Sequence, residues 1–145
     1  MNISADKLVV LALSMALFIG AAFAAEDGNN STSNIVITNA SFKAPSPEKE
    51  NLNGEWVEIA NQGVADQNLQ GWTLSDHDNH TYVFKNVSLK SSTSVKVHTG
   101  TGADSDADLF WNMKVSIWNN DGDMATLKDA SGNVIAKYPE EPPKV

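Results

Sequence analysis

Residues 54–61 read Gly-Glu-Trp-Val-Glu-Ile-Ala-Asn, and residues 71–75 read Gly-Trp-Thr-Leu-Ser. Apolar residues fall at alternate positions in both runs: Val57 and Ile59 in the first, Trp72 and Leu74 in the second. An extended chain points successive side chains to opposite faces, so a period of two predicts a strand with one buried face. On this parity Trp72 belongs to the core and Trp56 to the outer face. Glu55 and Glu58 lie on opposite faces, so they do not form the facing carboxylate pair a glycosidase needs.

The same signature recurs outward from these two runs. Residues 34–42 (NIVITNASF) form an earlier alternating run. Residues 43–53 read as a loop because of Pro45, Pro47 and their charges. Gln62 and Gly63 turn the chain. Asp76-His77-Asp78-Asn79 is a tight polar turn, and residues 80–85 return as a hairpin partner with Tyr82 and Phe84 on one face. Residues 94–99 place Val95 and Val97 inward. After an acidic loop, residues 100–108, come short apolar pieces at 109–111 and 115–118. Residues 123–127 and 133–138 form a last hairpin, where Gly132 supplies the positive φ its turn demands. No 3.6-residue apolar period lasts three turns after Ala25. The pattern predicts an all-β domain of seven or eight short strands, an immunoglobulin-like β-sandwich, with a small closed barrel as the competing architecture.

The N-terminus reads as a secretory signal peptide, residues 1–24. Lys7 and the α-amine outweigh Asp6, residues 8–19 are uncharged and almost wholly apolar, and Ala22-x-Ala24 places cleavage between Ala24 and Ala25. An uncleaved anchor is the alternative, because the uncharged stretch approaches the length of a membrane span. Residues 25–33 are a polar linker, residues 34–139 the domain, and residues 140–145 a Pro-rich tail. The chain has no cysteine, so an exported domain of this sequence holds together by packing and not by disulfides.

Net charge is −8, and all ten basic residues are lysine. That argues against direct nucleic-acid binding, which draws on a basic face and on arginine forks. A membrane contact is expected only through an uncleaved leader.

The segments GEWVEIAN at 54–61 and LQGWTLSD at 69–76 resemble the core of the lamin-tail domain. The similarity continues through Tyr82-Val83-Phe84, residues 118–123 (WNNDGD) and residues 127–135 (LKDASGNVI). The resemblance implies an immunoglobulin-like sandwich in a prokaryotic exported protein. It also implies a non-catalytic module of the kind that accompanies surface proteins and secreted hydrolases or nucleases.

Four constellations are candidate sites. Asp104, Asp106 and Asp108 alternate and would offer oxygen ligands to Ca²⁺, although the residues that follow do not fit an EF-hand. Residues 119–123 (NNDGD) fail the same test at Ile117 and Lys128 and read as a turn. Asp76, His77, Asp78 and His80 would suit a transition metal, but a hairpin turn splays neighbouring side chains. Trp111 and Trp118 either form an aromatic contact site or pack under a loop. No cysteine, nucleophile elbow or serine–histidine–acid context points to covalent catalysis, and no cofactor is implied. N-x-S/T sequons stand at Asn29, Asn30, Asn39, Asn79 and Asn86 and mark candidate glycosylation sites of a surface protein.

The expectation is a secreted or cell-surface, non-catalytic binding module whose partner is an envelope protein or a polysaccharide. An accessory subunit acting in trans with a hydrolase or nuclease is the second reading, and a Ca²⁺-dependent adhesion domain the third.

Overall fold

The alternation in residues 54–61 becomes the centre of a sheet. In a computed structural model that describes residues 34–140, β2 (Trp56–Asn61) lies between β1 (Ile35–Ser41) and β7 (Ser94–His98), with β8 (Asp108–Phe110) outside β7. A second four-stranded sheet runs β10 (Val134–Tyr138), β9 (Ala125–Lys128), β4 (Thr73–Ser75), β5 (Thr81–Val83). These eight strands match the seven or eight expected. The predicted leader with its Ala24/Ala25 junction, the Asn29 and Asn30 sequons, and residues 141–145 lie outside the described residues.

The inner faces carry the residues the parity assigned, joined by Leu127 of β9. Val57, Ile59, Val95, Val97, Leu74 and Leu127 are all at most 1 % exposed, each contributing about 1.5–3 kcal/mol of hydrophobic stabilisation. β1 adds a device absent from the simple alternation. Its pairing with β2 slips between Ile37 and Asn39, and the bulged Thr38 shifts the phase. Ile35 and Ile37 therefore point inward before the bulge, and Ala40 and Phe42 pack on the core after it.

Four features depart from the sequence reading. The stretch read as a loop, residues 43–53, forms one short 3₁₀ turn, Glu48–Glu50, and begins a second, Leu52–Gly54, that ends just beyond it. The apolar piece at 115–118 is not a strand; it carries Ile117 and Trp118 into the core while Val115 stays exposed. β8 runs parallel to β7 in an otherwise antiparallel fold. A two-residue ladder, β3 (Gln67–Asn68) with β6 (Ser88–Leu89), was not anticipated. Buried Asn61 braces that ladder by donating from Nδ2 to the carbonyls of Ala65 (2.8 Å) and Leu89 (3.0 Å) and accepting from Gly63 N–H at 2.9 Å.

A chain of rings lies within and beside this core. It runs from Tyr138 to Phe42 (6.4 Å), Trp118 (5.1 Å), Trp111 (6.1 Å), Tyr82 (5.8 Å) and Phe84 (5.0 Å), by centroid separations. Each spacing falls in the range where aromatic pairs attract through offset or edge contacts. Trp111 and Trp118 are thus packing residues.

Candidate binding surface

The parity that buries Val57 and Ile59 leaves Trp56 and Glu58 on the outer face of the first sheet. Strand register then sets their neighbours. Trp56 lies opposite His98 and His98 opposite Phe110, so three rings form one row across β2, β7 and β8. Glu58, Lys96 and Asp108 form the adjacent row. His98 stacks on Phe110 with centroids 5.2 Å apart and planes at 18°. Lys96 Nζ sits 4.1 Å above the Trp56 ring and 4.0 Å from Glu58 Oε2, and Thr38 Oγ1 donates to Glu58 Oε1 at 2.8 Å. Trp56 is half-buried, its ring presented on the outside of the sandwich.

His98 ties this face to the end of the molecule. Its Nε2 is 2.7 Å from Asp108 Oδ1 and its Nδ1 is 3.0 Å from the carbonyl of Asn53. Both partners are acceptors, so both hydrogen bonds form together only when the ring carries two protons. Asn53 also donates from Nδ2 to the Thr101 carbonyl at 2.9 Å. It thereby joins the 3₁₀ segment to the loop after β7 along a groove of about 470 Å³ that Lys49, Glu50, Met113 and Lys114 help to line. Close approach here needs glycine: a Cβ on Gly100 would come 2.4 Å from Asn53 Oδ1, and one on Gly54 2.3 Å from Pro45 Cδ.

The wall of the groove is held from inside by Glu55. This carboxylate is fully buried and accepts hydrogen bonds from Ser116 Oγ and from Ile117 N–H (3.1 Å), while its own carbonyl accepts from Thr99 N–H (3.0 Å). Sequence reasoning placed Glu55 correctly opposite Glu58 but did not foresee its burial. The signal was its parity, shared with Val57 and Ile59.

The acidic loop does not gather a cation site. Asp104 Oδ1 accepts from Phe110 N–H (2.9 Å), Ser105 Oγ accepts from Asp108 N–H (3.1 Å), and Ser105 N–H donates to the Asp108 carbonyl (2.8 Å). These bonds close the free edge of β8, the side where another chain would otherwise pair. Asp108 turns to His98, and Asp106 is exposed. Among the described residues no three His, Asp or Glu side chains are placed to hold a metal ion.

The other candidates also resolve into turns. Buried Asp76 accepts from His80 backbone N–H (2.7 Å) and from its ring Nδ1 (2.6 Å), and the carboxylate raises the His80 pKa above its ordinary 6.5. The backbone N–H of His77 instead donates to Asp123 Oδ1 at 3.0 Å. Asp123 Oδ2 accepts from Asn119 N–H (2.8 Å), and Gly122 adopts φ +126°, as the turn reading of residues 119–123 requires. Gly132 is likewise at φ +87° in the last hairpin. Of the described sequon residues, Asn39, Asn79 and Asn86 are all exposed.

Among the described residues no helix is long and apolar enough to cross a membrane. Among curated proteins no sequence matches the chain. A family model described as Lamin Tail Domain matches residues 28–141. That match takes in both sheets and every residue of the surface described above, and the chain belongs to the lamin tail domain family.

Proposed function

We propose that this chain is an exported, non-catalytic lamin tail module that binds a polysaccharide of the cell envelope through the outer face of its first sheet. The observation that carries the reading is Trp56, half-buried on that face in register with His98 and Phe110 and bordered by Glu58, Lys96 and Asp108. A sugar ring has an apolar face that stacks on an aromatic plane and hydroxyls that bond to flanking charged groups. Trp56 is not needed inside the sandwich, which Val57 and Ile59 fill from the same strand. The polar rim continues into the groove beside Asn53. The leader read in residues 1–24 supports export, and the acidic charge supports a neutral or cationic ligand over an anionic surface.

The test is co-sedimentation of the protein with insoluble envelope polysaccharide, comparing wild type with Trp56→Ala and Lys96→Ala. Loss of the stacking ring is expected to weaken retention about tenfold, equivalent to about 1.4 kcal/mol. A Val83→Ala control on the opposite sheet should bind as wild type. Failure of wild type to sediment, together with capture of an envelope protein through the same face, would assign the surface to a protein partner.

A further inference from the structure

The two sheet edges on one side of the sandwich are finished differently. The edge at β8 is closed by Asp104 and Ser105. The edge at β5 is the last strand of its sheet, and its outward residues Thr81 and Val83 are exposed, Val83 by 46 %. Thr81-Tyr82-Val83 carries no charge and no proline, the usual guards of an open edge. Sequon asparagines stand at both ends of it. Asn79 immediately precedes the hairpin return, and Asn86 follows Phe84 and Lys85.

We propose that Asn79 and Asn86 are N-glycan acceptors and that their sugars cover the open edge of β5 against pairing with a second copy of the chain. Both asparagines are exposed, and both sit at positive φ, +68° and +50°, outside the regular strand. Each has its hydroxyl two residues on, at Thr81 and Ser88, and both of these are exposed. Asn39 differs although it too is exposed. It lies within paired β1 opposite Glu58, and its carboxamide oxygen accepts from Ala40 N–H (2.9 Å) and Tyr138 O–H (3.3 Å), so its side chain is held on a paired strand and not presented from a turn. The structure thus selects two acceptors among the described sequons.

In the transfer, asparagine Nδ2 forms a bond to the anomeric carbon of a lipid-pyrophosphate-linked oligosaccharide. The bond from that carbon to the phosphate oxygen breaks, its electron pair leaves on the lipid pyrophosphate, and the amide nitrogen gives up one proton. The lipid-linked oligosaccharide of the membrane is the donor and an asparagine oligosaccharyltransferase outside the cytosol the catalyst, so the inference rests on the exported reading.

The experiment expresses the full chain in a host carrying such a transferase, once with its own leader and once behind a heterologous secretory leader, and maps glycopeptides by mass. Sugar is expected on the Asn79 and Asn86 peptides and not on Asn39. Thr81→Ala and Ser88→Ala should each remove one glycan while leaving the positive-φ asparagines in place, with an unchanged circular dichroism spectrum showing that the fold is intact. The double variant should self-associate in sedimentation where the glycosylated protein stays monomeric. Bare Asn79 and Asn86 on chain secreted through the heterologous leader would overturn the acceptor assignment, as would sugar at Asn39. A double variant that remains monomeric would overturn the covering role. If only the native leader fails to export, the export reading falls and the site assignment is judged from the heterologous arm.

Discussion

The carboxylate of Glu55 accepts a hydrogen bond at 3.1 Å from the backbone N–H of Ile117, which lies 62 residues further along the chain. The same carboxylate takes the Ser116 hydroxyl, so one buried acid fixes the path by which residues 112–118 cross the end of the sandwich. Replacing it with alanine strands the buried Ile117 N–H, at a cost of about 1–3 kcal/mol when unsatisfied, and frees the part-buried Ser116 hydroxyl. Glu55→Ala should therefore lower the urea midpoint markedly, and Glu55→Gln, which keeps a carbonyl acceptor, should lower it less. Equal midpoints for the two variants would contradict this role. Trp111 and Trp118 ride on the same segment, so near-ultraviolet circular dichroism should change with the alanine variant.

Asp104 Oδ1 accepts from Phe110 N–H at the edge of β8, and a cation is not expected to compete for it. Melting in Ca²⁺ and in chelator should give the same midpoint, because a ligand that binds only the folded state raises it. Asp104→Ala should destabilise by about 1 kcal/mol through the orphaned Phe110 N–H. A Ca²⁺-dependent rise in the wild-type midpoint would reinstate the loop as a metal site.

His80 should titrate above 6.5, because the Asp76 carboxylate bonds and attracts its protonated ring. A group whose pKa is raised on folding stabilises the fold fully below its unfolded pKa. That contribution fades as pH rises through the folded value. Stability should therefore fall as pH climbs from 6.5 through the His80 midpoint, and Asp76→Asn should reduce both effects, leaving the weaker pull of Asp78 and Asp123. Following the imidazole proton resonances against pH checks the midpoint directly.

Tyr82 is pushed up to about 12, first by burial and then by the Asp104 carboxylate. The fold retains the phenolic proton, so this stabilisation is complete below the unfolded value of 10 and is lost as pH rises through about 12. Ultraviolet absorbance of phenolate should show one of the two tyrosines ionising late. Asp104→Asn should bring that transition down.

Local pattern determined the elements that depend on local physics. Side-chain alternation at 54–61, 71–75 and 94–99 is enough to say which residues face inward, because pleating makes that a property of each strand alone. Turn chemistry at Gly132 and at residues 119–123 is equally local: positive φ and Asx hydrogen bonds need only their own few residues.

What local pattern could not contain is the identity of distant partners. Whether Asp104 faces a cation or the Phe110 amide depends on where β8 lies, and β8 is placed by parallel pairing with β7 across the loop at 99–107. Trp111 and Trp118 are read from sequence as packing under a loop, with a contact site as the alternative, and it takes Phe42 and Tyr82 coming beside them from elsewhere in the chain to supply the partners. The row Trp56–His98–Phe110 exists only through the register of three strands. Sequence parity put Trp56 on the outer face, but tertiary structure gave it neighbours, because register is set by long-range pairing that no single strand encodes.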